Sequence, residues 1–317
     1  GMIWHSPRED PLVWDRDLSL MRDHGLRLLR LLHFSPFGTG AYDGRPSNRP
    51  LDLRLPPPAR LIDQTDALVR LAHRHGVILC LTLHDWMDVA LTDAELAAQT
   101  AWNHYWVARY RDWPLVTFDV QNEPAVDLPA EPWVRALWDQ TALGTATAHA
   151  AAGGDSDAAA TAAAPPPWKQ TPAGAAAWNE HHTTRIGLLR RLLLDRWVAA
   201  NAAGIESARP DALWTVGYLP TNDPADPVSG SQRAPFTNRH FYGATAEFAA
   251  RWKWVDRRGE GRPLSLGEFG ASAAHDARTH GRDDPRDEDA IAHYLHVAQC
   301  AAAWDAAWVA NWNWKDM

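Results

Sequence analysis

The sequence predicts an α/β fold, a (β/α)8 TIM barrel, and three observations lead to this prediction. Hydrophobic residues at helical spacing alternate with short apolar runs along most of the 317 residues. Two of the early helical segments end at a glycine, which commonly terminates a helix. The apolar runs number eight when a short one at Met2–Trp4 is included. Because eight parallel strands close a barrel, we expect a single domain spanning residues 1–317.

The first two helix–strand units show the pattern directly. Apolar residues recur every three or four positions before a glycine in two segments: Trp14, Leu18 and Met21 before Gly25, and Leu61, Leu68 and Ala72 before Gly76. An apolar run follows each glycine, at 26–32 and at 77–83. Such runs are typical of strands that are buried on both faces, as in a parallel sheet.

The middle of the chain contains one further unit and then a long interruption. Thr92 and Glu95 form a capping box, which predicts a helix running to about residue 111, and 115–120 is the next strand. Residues 125–178 break the pattern with a low-complexity centre rich in Ala, Pro and Gly. We expect this segment to be one oversized loop inserted after the fourth strand.

The pattern resumes in the last third of the chain. Helical spacing returns at Ile186, Leu189, Leu193 and Trp197. Further strands are predicted at 212–217, 236–242, 264–269 and 307–312, with helices near 244–256 and 286–303. The expected barrel departs from a regular one in its short first strand and in having no evident final helix.

Composition excludes several classes of protein. The formal net charge is −8, and no run of Lys or Arg provides the basic stripe that nucleic acid requires. No segment has the length of a membrane span or the features of a signal peptide, so we expect a soluble chain. The compartment stays open: secreted or periplasmic if a leader was removed, otherwise cytoplasmic. Protein partners are also left unknown.

The rare residues narrow the chemistry. Cys80 and Cys300 are the only cysteines and form no Cys-x-x-Cys motif, so we expect two free buried thiols. No nucleotide-binding glycine motif and no set of three metal ligands is evident, and we expect no cofactor and no metal. The 18 tryptophans suit stacking on sugar rings, although core packing is the alternative for each of five candidate platforms: Trp86, Trp102, Trp106, Trp168 and Trp254.

Two carboxylic acids stand where predicted strands end. Asn122-Glu123-Pro124 closes the fourth strand and Glu268 closes the seventh. Strand ends form the active-site face of a barrel, so the two acids can meet across its mouth. A carboxyl pair is what cleavage of a glycosidic bond requires, one acting as acid and the other as nucleophile or base. A lone Asn-Glu-Pro also fits a simple strand-to-loop turn.

Eight positions together resemble glycoside hydrolase clan A, closest in pattern to family 5, the cellulase and mannanase family. They occur in order at six strand ends between residues 25 and 312: Arg30, His84, Asn122, Glu123, His240, Tyr242, Glu268 and Trp312. The resemblance implies a hydrolase that cleaves β-linked oligo- or polysaccharides with retention of configuration.

The resemblance also implies a role for each of these residues. Glu268 is expected to be the nucleophile, held ionised by Arg30 and Tyr242, and Glu123 the acid/base. The remaining residues are expected to bind the substrate. Asn122 would hold the sugar 2-hydroxyl, and His84 and His240 would orient sugar hydroxyls or the two acids. Trp312 would lie beneath the reactive sugar, and Trp86 would be a further sugar platform.

Alternatives remain open at this point. Arg30 can instead belong to a structural ion pair in the barrel, both histidines can be core residues, and Trp312 can pack at the seam. A non-catalytic carbohydrate-binding barrel is the rival from another class, and transglycosylation would use the same site.

Overall fold

The computed structural model describes residues 11–32, 34, 53–84, 89–124, 192–218, 233–242, 262–270, 287–303 and 305–311. The chain divides into two compact units, residues 1–125 with 196–317, and residues 126–195. The second unit lies almost wholly outside the described residues. The predicted strand at Met2–Trp4, the insertion at 125–178 and the helix near 244–256 lie outside them too.

Except between residues 214 and 270, where three described strands follow one another, helices and strands alternate along the described part of the chain. In chain order they are α1 (Pro11–Asp23), β1 (Leu28–Leu31), α2 (Ala59–His75), β2 (Ile78–His84), α3 (Asp93–Arg109), β3 (Val116–Asn122), α4 (192–208), β4 (Trp214–Tyr218), β5 (Thr237–Tyr242), β6 (Leu264–Gly270), α5 (Asp287–Ala303) and β7 (Trp308–Asn311). Each described strand coincides with a predicted one to within about two residues at its ends. No helix in the described ranges is long and apolar enough to cross a membrane.

The seven described strands form one sheet in the order β1 to β7, and every neighbouring pair is parallel. Sequential parallel strands require a crossover between each pair, and α2, α3, α4 and α5 occupy four of these crossovers. The Cα atoms of β1 and β7 approach within 8 Å, so the sheet curls back on itself. The predicted (β/α)8-like barrel is therefore confirmed as a nearly closed barrel.

Local sequence signals act as expected at the helix ends. Gly76 has a φ of 65° and ends α2, donating its N–H to the carbonyl groups of Ala72 and His73. Thr92 and Glu95 form the predicted capping box at the start of α3. These signals fix where each helix stops and where the following strand begins.

The strands carry apolar side chains toward the helices. In β1, Leu29 and Leu31 are fully buried on either side of Arg30, and in β3, Phe118 and Val120 flank Asp119 in the same way. One apolar cluster joins β5, β6 and α5: Phe241, Leu264, Leu266, Phe269 and Val297. Alternation along a strand thus sends the charged residues to the opposite face, the interior of the barrel.

Two of the candidate sugar platforms are core residues. Trp102 and Trp106 are 1% and 0% exposed and pack against Phe34 with ring centroids 5.5 and 4.6 Å away. Core packing is therefore the correct interpretation for this pair. Trp86, Trp168 and Trp254 lie outside the described residues.

Candidate functional site

Arg30 lies at the centre of the candidate site. Its Nη1 donates to Glu268 Oε1 at 2.5 Å, and its Nε donates to Asp119 Oδ2 at 2.8 Å. Its Nη2 donates to Asp119 as well and to Asn122 Oδ1 at 3.0 Å. Strands β1, β3 and β6, which carry these residues, are not neighbours in the sheet, so the contacts cross the barrel interior.

The charge on Arg30 is secure despite full burial. Burial alone would lower the pKa of Arg30, but the carboxylates of Asp119 and Glu268 raise it overall. Arg30 therefore carries a fixed positive charge between two acids. An ion pair of this kind costs desolvation energy, and each partner becomes expensive to remove alone.

His240 joins the two candidate catalytic acids. Its Nδ1 lies 2.7 Å from Glu123 Oε1 and 3.4 Å from Glu268 Oε2. One carboxylate oxygen of Glu123 and one of Glu268 lie within 4.8 Å of each other. The predicted meeting of the two acids at the ends of distant strands is thus present in the structure.

The protonation of His240 follows from its surroundings. Burial lowers the pKa of His240 well below its ordinary value, and the charges of Arg30 and Arg239 lower it further. A neutral imidazole carries one ring hydrogen, and Nδ1 faces two carboxylate oxygens while Nε2 has no hydrogen-bond partner among the described residues. We assign the hydrogen to Nδ1, which donates toward Glu123.

Glu123 has an unusual backbone and a raised pKa. Its φ of 48° lies in the left-handed region, and its N–H donates to the Gly217 carbonyl at 2.7 Å. Its side chain is 26% exposed, so solvent reaches it from the barrel mouth. Burial raises the pKa of Glu123 from 4.5 to about 6, with Arg30 acting in the opposite direction.

Gly217, which the sequence reasoning did not identify, is part of the same arrangement. A Cβ at this position would lie 2.7 Å from Arg30 Nη2 and 2.8 Å from His240 Nε2. The side chains of Arg30 and His240 therefore pack directly against the backbone of Gly217. A glycine at the end of an apolar strand was the available signal, since a missing side chain there often marks close approach of another group.

Asp119 is the second residue that sequence reasoning missed. It accepts from Arg30 through Oδ2 and from the Gly217 N–H through Oδ1 at 3.0 Å. The signal was a carboxylate inside an otherwise apolar strand, because a fully buried acid needs a charged or hydrogen-bonding partner.

His84 makes its described hydrogen bond to a helix. It is fully buried, and its Nε2 donates to Asn103 Oδ1 of α3 at 2.8 Å. Asn103 bonds in turn to Asn201 of α4, and Asn201 to Gln99. Burial lowers the pKa of His84 to about 4. Its predicted role toward sugar hydroxyls stays a prediction.

Three predicted site residues cannot be placed. Trp86 and Trp312 lie outside the described residues, and so does the side chain of Tyr242. Their roles remain predictions from the resemblance.

Within the described residues, the one group with the spacing of a metal site is Glu123, His240 and Glu268. The guanidinium of Arg30 already bonds to Glu268, and its positive charge opposes a second cation there. Electrostatics therefore favour proton transfer and nucleophilic attack by these groups over metal binding.

The bends of the sheet coincide with the site. Register irregularities occur between Asp119 and Asn122, between Arg239 and His240, and between Leu266 and Phe269. Bulges re-aim side chains and are common beside active sites. Here the irregularities fall in the strand segments that carry or adjoin Asn122, His240 and Glu268.

The sequence matches no protein-family model and no curated protein. Solved structures do resemble it. A β-glucuronidase 2 from Bacteroides uniformis has 12% identity and a TM-score of 0.56, over 98% of this chain and 30% of that one. An endoglucanase from Thermotoga maritima has 12% identity and a TM-score of 0.56, over 95% of this chain and 82% of the other.

An endo-1,4-β-D-mannanase from Thermotoga petrophila has 13% identity and a TM-score of 0.56, over 98% of this chain and 87% of that one. This chain thus spans under a third of the glucuronidase but most of the endoglucanase and the mannanase. At such identities the likeness establishes the architecture alone. The chain therefore shares the (β/α)8-like barrel architecture of this endoglucanase and this mannanase.

Proposed function

We propose that this chain is a retaining β-glycoside hydrolase, with Glu123 as acid/base and Glu268 as nucleophile. The observation that carries the proposal is the meeting of these two carboxyl groups at His240, with one oxygen of each within 4.8 Å. Two acids held together at the mouth of a barrel are the parts that glycosidic cleavage needs.

The separation favours retention over inversion. Retaining enzymes hold their carboxyl groups about 5–5.5 Å apart, whereas inverting enzymes need about 6.5–9.5 Å to admit a water molecule between sugar and base. One oxygen of Glu123 lies within 4.8 Å of one oxygen of Glu268, which is nearer the retaining spacing than the inverting one. Direct attack by a carboxylate is the chemistry this spacing supports.

Different surroundings divide the two roles. Arg30 donates to Glu268 Oε1 and stabilises a negative charge there, while Oε2 lies 3.4 Å from His240 Nδ1. We assign the attack on the sugar to Oε2. Glu123, with a pKa raised to about 6 by burial, retains a proton longer than an exposed glutamate does.

The proposed reaction has two steps. In the first, Glu268 attacks the anomeric carbon, the bond to the leaving oxygen breaks, and Glu123 gives that oxygen its proton. In the second, Glu123 takes a proton from water, the water oxygen attacks the anomeric carbon, and the ester bond to Glu268 breaks. Esterification removes the charge of Glu268, so Arg30 then favours the ionised Glu123 that this step requires.

Asn122 is proposed to contact the substrate. Its Oδ1 already accepts from Arg30 Nη2 at 3.0 Å, so its Nδ2 is the group available to donate to a sugar oxygen. A hydrogen bond to the 2-hydroxyl strengthens at the transition state. Endoglucanases and mannanases among the similar structures support a β-linked oligo- or polysaccharide as the substrate class.

Covalent trapping tests the proposal. The protein is incubated with activated 2-deoxy-2-fluoro glycosides of gluco, manno, xylo and galacto configuration, and intact and peptide masses are recorded. We expect one sugar on Glu268 and no labelling of Glu268→Gln. Absence of an adduct with every member, on folded protein, would contradict the proposal and favour a non-catalytic carbohydrate-binding barrel.

A further inference from the structure

We propose that Asp119 is a positioning residue that sets the distance between Glu123 and Glu268. The inference rests on the proposed function, which assigns the reaction to these two acids. Asp119 contacts neither of them through a described hydrogen bond. It acts through two separate arms, one on each side.

The first arm runs to the nucleophile. Asp119 Oδ2 accepts from Arg30 Nε at 2.8 Å and from Arg30 Nη2, which fixes the guanidinium at two of its nitrogens. The third nitrogen, Nη1, then points at Glu268 Oε1. Because a guanidinium is planar and rigid, holding one edge determines where the other edge lies.

The second arm runs to the acid/base. Asp119 Oδ1 accepts the Gly217 N–H at 3.0 Å, and the Gly217 carbonyl accepts the N–H of Glu123 at 2.7 Å. Glu123 has a positive φ, a strained conformation that persists only where surrounding contacts enforce it. The strand held by Asp119 supplies one of those contacts.

The burial of Asp119 makes both arms rigid. The side chain is fully buried, and its third contact is a long hydrogen bond of 3.4 Å from Thr82 Oγ1. A carboxylate has two oxygens, and here each serves one arm. An amide has a single acceptor oxygen and an alanine has none, so substitutions can remove one arm or both.

The test uses two readouts, one for each arm. The rate constant for trapping by a dinitrophenyl 2-deoxy-2-fluoro glycoside reports on Glu268, because this leaving group needs no proton. The ratio of kcat/KM for poor and good leaving groups reports on Glu123. Both are measured on wild type, Asp119→Ala, Arg30→Ala and the double variant, with thermal melts to confirm folding.

We expect Asp119→Ala to slow trapping by about 100-fold, the loss that a misplacement near 1 Å causes, and to lower the leaving-group ratio as well. The double variant is expected to trap no more slowly than Arg30→Ala, because Asp119 reaches Glu268 through Arg30. Its leaving-group ratio should still fall below that of Arg30→Ala, because the arm through Gly217 does not involve Arg30.

Thr117→Val is the matched control, since Thr117 is buried two residues earlier on β3 and lies outside both arms. It should trap at the wild-type rate. A folded Asp119→Ala with both readouts unchanged would overturn the inference. Equal losses in Thr117→Val would overturn it too. So would a trapping rate in the double variant that falls by the full product of the two single losses. If Asp119→Ala does not fold, Asp119→Asn carries the test, and retention of both readouts would refute the inference.

The same data separate the two hypotheses. A wild-type protein that no glycoside labels overturns the proposed function. A labelled wild type, an unlabelled Glu268→Gln and an unimpaired Asp119→Ala leave the function standing and overturn the positioning role alone.

Discussion

His240 Nδ1 lies 2.7 Å from Glu123 Oε1, which places a neutral imidazole donor against the acid of the pair. The contact joins the end of β5 to the residue that follows β3. It stabilises the carboxylate of Glu123 without adding a second positive charge beside Arg30. Burial nevertheless dominates and raises the pKa of Glu123 to about 6, so release of its proton has consequences for rate and for stability.

The first prediction concerns the pH dependence of the reaction. As the proposed acid, Glu123 must be protonated to assist a poor leaving group, and burial raises its pKa to about 6. We expect kcat/KM to fall as pH rises through about 6 on such substrates, measured from pH 4.5 to 8. A dinitrophenyl glycoside, which leaves without a proton, should show no such fall. A kcat/KM for poor leaving groups that stays constant from pH 4.5 to 8 would contradict the assignment.

A second prediction separates the two acids by mutation. Glu268→Gln removes the proposed nucleophile and should lower turnover by more than about 10⁴-fold on every substrate. Glu123→Gln should lower kcat/KM by about 10² to 10⁴-fold for substrates with poor leaving groups. For activated substrates the first step should be slowed far less. Steady-state kinetics on a series of aryl glycosides measures this. Wild-type rates for both variants would refute the two-carboxylate assignment.

Glu123→Gln should also stabilise the fold at neutral pH. The folded pKa of about 6 lies above the unfolded 4.5, so the native state holds a disfavoured carboxylate once pH exceeds both values. Wild type should therefore lose about 2 kcal/mol of unfolding free energy, relative to Glu123→Gln, as pH rises from 4 to 7.5. Urea unfolding at the two pH values provides the measurement. If wild type and Glu123→Gln differ in unfolding free energy by the same amount at both pH values, ionisation of Glu123 is not the cause.

A fourth prediction concerns Gly217. An alanine methyl group would lie 2.7 Å from Arg30 Nη2 and 2.8 Å from His240 Nε2, so Gly217→Ala must displace one of them. We expect kcat/KM to fall by about 100-fold with the protein still folded.

Gly204→Ala is the matched control for this substitution. Its methyl group would meet the Thr100 carbonyl oxygen at 2.3 Å, between α4 and α3. It should lower the melting temperature and leave kcat/KM unchanged in the folded protein. A loss of stability without a loss of rate in Gly217→Ala would show that Arg30 and His240 need no fixed contact over this glycine.

Much of this architecture could be predicted because it depends on local signals. Gly76 and the Thr92–Glu95 capping box define helix ends by their own chemistry, and the apolar runs define strands. Glu123 and Glu268 could be paired because strand ends converge in a barrel. The contact of Arg30 with Glu268 was expected from the resemblance, whereas the other contacts across the interior could not be predicted, since register and bulges determine them.

Asp119 and Gly217 illustrate that limit. Whether a buried carboxylate faces a strand neighbour, an arginine or water depends on which strands oppose one another, and the sequence of β3 does not contain that information. The partner of His84 is a similar case. The position at the end of β2 was predictable, whereas the hydrogen bond to Asn103 depends on how α3 packs.

His84 leads to the last prediction, a loss of stability in acid. Its folded pKa, lowered by burial to about 4, lies below the unfolded 6.5, so the unfolded chain binds a proton at pH values where the native chain does not. Unfolding free energy should therefore fall as pH drops from 6.5 to 4, with about 3 kcal/mol due to His84. His84→Gln should reduce the difference between pH 7 and pH 4.5 in urea unfolding. His104 is exposed and lies next to Asn103 on α3. His104→Gln should therefore leave the difference in unfolding free energy between pH 7 and pH 4.5 unchanged. Equal effects of the two substitutions would show that burial of His84 is not the cause.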